Sequence, residues 1–225
     1  MSSLLRAIIG PRVPEEEMRR RGLRYAAPTI VLSIARIALL VSIFVPYWRM
    51  ELLAPQYPQG LRVEAYVNRL TGDVREIDSL NHYIGMRPLG DAAQLERSLS
   101  IVGLIALVLL VEGATYIHTK WAAVLAVPAV LFPPFFLADL AFWLNHFGQN
   151  LDPGAALSNA IKPFTPPLLG TGLIGQFQTR ASMGPGLQLA FAASILTIVG
   201  LWLHRRAYKP LADAERRAGA AETGA

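Results

Sequence analysis

Residues 99–144 read LSIVGLIALVLLVEGATYI-HTK-WAAVLAVPAVLFPPFFLADLAFWL. Two apolar runs, 99–117 and 121–144, are separated only by His118-Thr119-Lys120. A helix needs about 20 apolar residues to cross the hydrocarbon core of a bilayer. In lipid every backbone N–H and C=O has to be satisfied within the segment, so such runs fold as helices. The short polar break between them predicts a tight helical hairpin. Two further runs lie outward of this pair, at 26–46 and 186–203. The first follows Arg19-Arg20-Arg21 and Arg24 and ends in Pro46-Tyr47-Trp48-Arg49. Its apolar core is longer than that of a cleaved secretory signal, which predicts an uncleaved first helix. The last run is followed at once by His204-Arg205-Arg206.

Composition agrees. Of 225 residues 53% are hydrophobic and only 16% charged, against about a quarter charged in soluble domains. The formal net charge is +5, with the excess at the two ends, which fits membrane orientation rather than nucleic-acid binding. The chain has no cysteine, which excludes disulfides, thiolate metal sites, iron–sulfur clusters and c-type haem attachment. Arg and Lys crowd the N-terminal segment, the hairpin turn and the C-terminal tail. The positive-inside rule puts these three on the cytoplasmic side. The expected fold is an all-α membrane protein of the bacterial inner membrane with both termini cytoplasmic. A basic N-terminus (1–25) leads into a four-transmembrane-helix bundle (26–46, 99–117, 121–144, 186–203), and a tail (204–225) follows. Two extracytoplasmic loops, 47–98 and 145–185, connect the spans. Trp48, Trp121, Trp143 and Trp202, with Tyr47 and Tyr116, fall at the predicted helix ends, where amphipathic rings sit at headgroup level. Pro128, Pro133 and Pro134 predict a bend in the third span.

Three charges fall inside the spans: Arg36, Glu112 and Asp139. Each is costly in hydrocarbon and calls for a partner or water. Arg36 and Glu112 differ in depth by roughly two turns, within the reach of a long guanidinium arm, which predicts an ion pair. Asp139 is near enough to the outer end of its span to be solvated.

The first loop reads as a folded unit with some β structure. Leu61, Val63, Ala65 and Val67 alternate with polar residues, the pattern of a half-buried strand. Thr71-Gly72-Asp73 supplies a turn. The second loop is rich in Pro, Gly and Asn, with a short interfacial helix expected at 168–179. His82, Met86 and His146 are candidate metal ligands in these loops. His82 and Met86 are four residues apart and would share a helix face. Imidazole plus thioether without thiolate suits copper better than zinc. The bland reading is that the histidines hydrogen-bond loop backbone and the methionine fills a gap. No Gly-x-Ser-x-Gly, His-Glu-x-x-His or Walker motif is present, so no enzymatic activity is expected.

The string Leu80-Asn81-His82-Tyr83-Ile84-Gly85-Met86, with Pro55-Gln56-Tyr57-Pro58-Gln59-Gly60-Leu61 and Pro163-Phe164-Thr165-Pro166-Pro167-Leu168-Leu169-Gly170, resembles small multi-span membrane accessory proteins of nitrous-oxide reductase gene clusters. The resemblance covers both loops and the flanking helix ends. It implies an accessory role in respiration, in copper handling for the extracytoplasmic copper enzyme or in docking it for maturation or electron supply. It singles out Asn81, His82, Gly85 and Met86, and His146 more weakly; Tyr83 stands in the same loop motif as Asn81 and Gly85. The chain lacks the cysteine-containing motif of the lipoprotein copper chaperones. The expected partners are the lipid bilayer and proteins in the membrane or periplasm, with copper the one cofactor to consider. A structural subunit of a larger respiratory complex, without a cofactor of its own, is the alternative. A transporter lined by Arg36, Glu112 and Asp139 is the third reading.

Overall fold

The computed structural model describes residues 13–174 and 177–223, together with Ile9. The elements in chain order are α1 (Glu15–Ser42), β1 (Trp48–Ala54), β2 (Tyr57–Ala65), β3 (Leu70–Gly72), α2 (Val74–Ile84), α3 (Gln94–Tyr116), α4 (Trp121–Gln149), β4 (Gly170–Ile174), β5 (Phe177–Met183) and α5 (Pro185–Thr223). Among the described residues, four helices (α1, α3, α4, α5) are long and apolar enough to cross a membrane. That is the pattern of a multi-pass membrane protein. Large side chains such as Ile37, Val102, Leu109, Phe135 and Ile195 stand exposed along them, as a lipid-facing surface requires.

The chain divides into two compact units. A helical unit holds the described residues up to Leu40, Leu104–Phe132 and those from Ala190 on. A loop unit holds Val41–Gly103 and Pro133–Leu189.

The helical unit packs through small residues. Ala114, Ala122 and Ala126 form one buried cluster, and Leu32, Val111 and Ala129 another. Helices in lipid gain little from burying apolar surface against each other, so close approach through small side chains is what holds them. Gly200 serves this purpose: a Cβ there would lie 2.6 Å from Leu32 Cδ2. Ser194 Oγ donates to the Ala129 carbonyl at 3.3 Å, a polar tie between α5 and α4.

The loop unit is built on one antiparallel sheet of order β3-β2-β1-β5-β4. Its strands come from both loops: β1 pairs with β2 on one side (Met50↔Val63) and with β5 on the other (Met50↔Ala181). Leu52, Leu61, Val63 and Ile77 make its core, with α2 laid over the sheet.

Several expectations change. The first apolar run was expected to stay helical to residue 46, but α1 ends at Ser42. A turn follows (Phe44 N–H to Val41 O, 3.1 Å); Tyr47 N–H then donates to Ala65 O at 2.7 Å and Trp48 opens β1. Tyr47 is fully buried; its hydroxyl lies 2.6 Å from Ser42 Oγ. Trp48 is buried too, and its indole donates to the Leu168 carbonyl at 2.6 Å. The helix expected at 168–179 is instead the β4–β5 hairpin. Phe177, Thr179 and Ala181 alternate with Gln178, Arg180 and Ser182, and the pairing edge of β1 gives that alternation a partner. Helix α4 runs from Trp121 through Pro128, Pro133 and Pro134 to Gln149, so residues 145–149 are helix rather than loop. The tail continues α5 to Thr223.

Candidate functional site

The strand pleat sorts the loop-unit sheet into two faces. One carries Arg49, Glu51, Arg62, Glu64, Arg180 and Ser182, which border a shallow surface depression. Arg49 pairs with Glu64 at 2.9 Å and Arg62 with Glu51 at 3.1 Å. Arg180 stands opposite Glu51 in the register. The other face, Met50, Leu52, Val63 and Ala65, turns toward α2 and the C-terminal end of α4.

The Leu80–Met86 string forms the end of α2. Gly85 lies at φ +80, ψ 15, the left-handed conformation that terminates the helix. Met86 N–H bonds Asn81 O at 2.9 Å and Gly85 N–H reaches His82 O at 3.4 Å. This 6→1 and 5→2 pair is the Schellman cap, which wants Gly at the left-handed position and an apolar residue after it. Met86 fills that second role, buried with Ile84 and Phe147. The two loops are stitched here: Asp152 N–H donates to Gly85 O at 2.8 Å and Leu157 N–H to Tyr83 O at 2.9 Å. A Cβ on Gly85 would lie 2.6 Å from Asp152 O.

The helix spacing argued for His82 and Met86 therefore fails, because Gly85 reverses the chain before residue 86. The two residues still border one cleft of about 320 Å³, with Tyr83, Arg87 and Asp152. His82 is exposed, edge-on to Tyr83 with ring centres 6.1 Å apart. His146 lies on α4, outside that cleft's lining. It stacks on Phe142 at 5.7 Å, and its Nδ1 is 3.3 Å from Asn150 Nδ2. Among the described residues, no group of three or more His, Cys, Asp or Glu comes together as a metal site. As copper ligands, His82 and Met86 are a two-residue set with the thioether largely covered.

Of the charges within the spans, Arg36 and Glu112 form an ion pair, and Arg36 also donates to Ser33 Oγ. Asp139 is half-buried on α4.

Three features escape sequence reasoning. Tyr47 is the first: burial pushes its phenol up to about 12, with the Ser42 hydrogen bond opposing. An apolar cavity of about 110 Å³ beneath the sheet is the second. The third, in the helical unit, is a stack of His118 on Tyr208 at 3.8 Å with His204 4.6 Å from the same ring. The i,i+4 spacing of His204 and Tyr208 was a signal for part of it; the arrival of His118 from the hairpin turn was not legible.

No family model, no curated protein and no solved structure matches the chain.

Proposed function

We propose that this chain is a bacterial inner-membrane accessory protein, both termini cytoplasmic, whose loop unit docks an extracytoplasmic copper-containing respiratory enzyme. One observation carries the reading: two loops separated in sequence by two membrane-length helices fold into one sheet, β1 lying between β2 and β5. Mere connectors have no need of a shared hydrogen-bonded sheet. A rigid platform facing away from lipid is what a docking partner requires. The Leu80–Met86 and Pro163–Gly170 resemblance supplies the class of partner. The charged sheet face with Arg180 is the surface assigned to the contact, since charge patterns set register and partner choice. The mutual pairing of Arg36 and Glu112 favours helix packing over an ion path.

Copper handling is the second reading, favoured by the cleft that His82 and Met86 share. Two measurements separate the readings. Crosslinking in native membranes, followed by purification, is expected to recover a copper enzyme with the parent chain and less with Arg180→Glu. Recovery of a lone, stable chain overturns docking. Copper content after Cu(I) loading and desalting tests handling: about one copper retained by the parent and lost in His82→Ala supports it, and none in either removes it.

A further inference from the structure

The cavity beneath the loop-unit sheet lies between Met50 and Val63 of the sheet, Asn81 and Ile84 of α2, and Trp143 and Phe147 of α4. Its volume is about 110 Å³ and its wall is almost wholly apolar. Protein interiors are packed with few voids larger than a water molecule. An apolar cavity of roughly 150 Å³ stays dry and takes up benzene. The present one is smaller and not sealed, so it has room for a short stretch of one slim hydrocarbon chain, the rest of which would pass out through the opening.

Few polar groups interrupt the apolar wall: Thr179 donates to Gly172 O and the Trp48 indole to Leu168 O, which leaves the side-chain nitrogens of Asn81 and Trp143. Asn81 is 7% exposed, and its side-chain amide nitrogen has no hydrogen-bond partner. The other residues α2 buries are Ile77 and Ile84, so a leucine at 81 would continue the apolar face without stranding a donor. A buried donor left unpaired costs as much as a lost hydrogen bond. A carbonyl oxygen entering with a chain would satisfy it.

We infer that this cavity is a binding site for the carbonyl end of an acyl chain, held by apolar contact over the stretch it encloses and by an Asn81 amide hydrogen bond to its carbonyl. The wall includes the end of α4, one of the membrane-length helices, so a bilayer lipid is the source to which the site commits. The inference does not depend on the docking role.

The test uses the full chain in detergent, with methyl hexanoate and n-heptane as probes of similar length. Binding is read as the concentration-dependent rise in unfolding temperature. The parent is expected to bind both saturably, the ester roughly fivefold more tightly, the worth of one hydrogen bond. Asn81→Leu keeps the alkane and loses the ester preference. Ala92→Leu, which places bulk into the wall, loses both. Saturable binding of neither probe by the folded parent, or an ester preference surviving in Asn81→Leu, overturns the site. Mass spectrometry of organic extracts then reads the source. A glycerolipid enriched in the parent over Ala92→Leu supports it; a free fatty acid alone, or no acyl species above the detergent control, overturns the bilayer-lipid assignment.

Discussion

Replacing Gly85 by alanine tests how the two loops are joined. Gly85 sits at φ +80, a left-handed conformation that costs an L-residue about 1–2 kcal/mol. An alanine Cβ would meet Asp152 O at 2.6 Å and Asp152 N at 2.8 Å. These are backbone atoms, so no side chain can turn aside to relieve the contact. The segment they belong to has to withdraw, breaking the bonds from Asp152 N–H to Gly85 O and from Leu157 N–H to Tyr83 O. Two hydrogen bonds at about 1 kcal/mol each bring the expected loss to about 3–4 kcal/mol. For a chain of this size that corresponds to a fall of roughly 6–15 °C in unfolding midpoint. The control is Gly90→Ala, where an added Cβ finds no atom within 4 Å and a change within about 0.5 kcal/mol is expected. Unfolding in detergent is followed by tryptophan fluorescence, and hydrogen exchange is read at the amides of residues 152 and 157. If Gly85→Ala melts within about 1 °C of Gly90→Ala and those amides stay protected, the stitched-loop account is wrong.

Gly186→Ala would set a Cβ 2.5 Å from Tyr47 Cδ2, against a ring that is fully buried and 4.8 Å from Phe136. A loss of about 1–3 kcal/mol is expected from overpacking, read as a lower unfolding midpoint, whereas Gly103→Ala, inside α3 with open space around its Cβ, should melt at or slightly above the parent. Arg36→Met leaves the Glu112 carboxylate, on a membrane-length helix, without its cation, and a loss of about 2–3 kcal/mol is expected because an unpaired charge is costly in hydrocarbon. Adding Glu112→Gln should recover part of it, and additive losses in this double-mutant cycle would refute the coupling. The Tyr47 phenol titrates near 10 when unfolded and at about 12 in the fold. Its neutral form therefore contributes stability that is complete below pH 10 and lost as pH rises through 12. Denaturant titrations across that window should show a steeper fall for the parent than for Tyr47→Phe, and identical slopes would remove the assignment.

The spans were legible in the sequence because lipid imposes a local rule: each segment satisfies its own backbone, and length and apolarity suffice to reveal it. The ion pair between Arg36 and Glu112 followed from the same rule, since an intramembrane charge needs a partner. Strand β2 was visible through the alternation of Leu61, Val63, Ala65 and Val67. Only the tertiary structure decided the rest. Residues 168–179 carry a strand-like alternation beside Gly, Pro and Thr, and nothing local selects hairpin over helix; the free edge of β1, more than a hundred residues earlier, does so. Tyr47 and Trp48 look like headgroup aromatics until the sheet encloses them. The spacing of His82 and Met86 promised a shared helix face, and one left-handed glycine cancelled it. Pairing across distant segments and the burial it creates belong to three dimensions, and the cavity beside Asn81 exists only because both loops close over it.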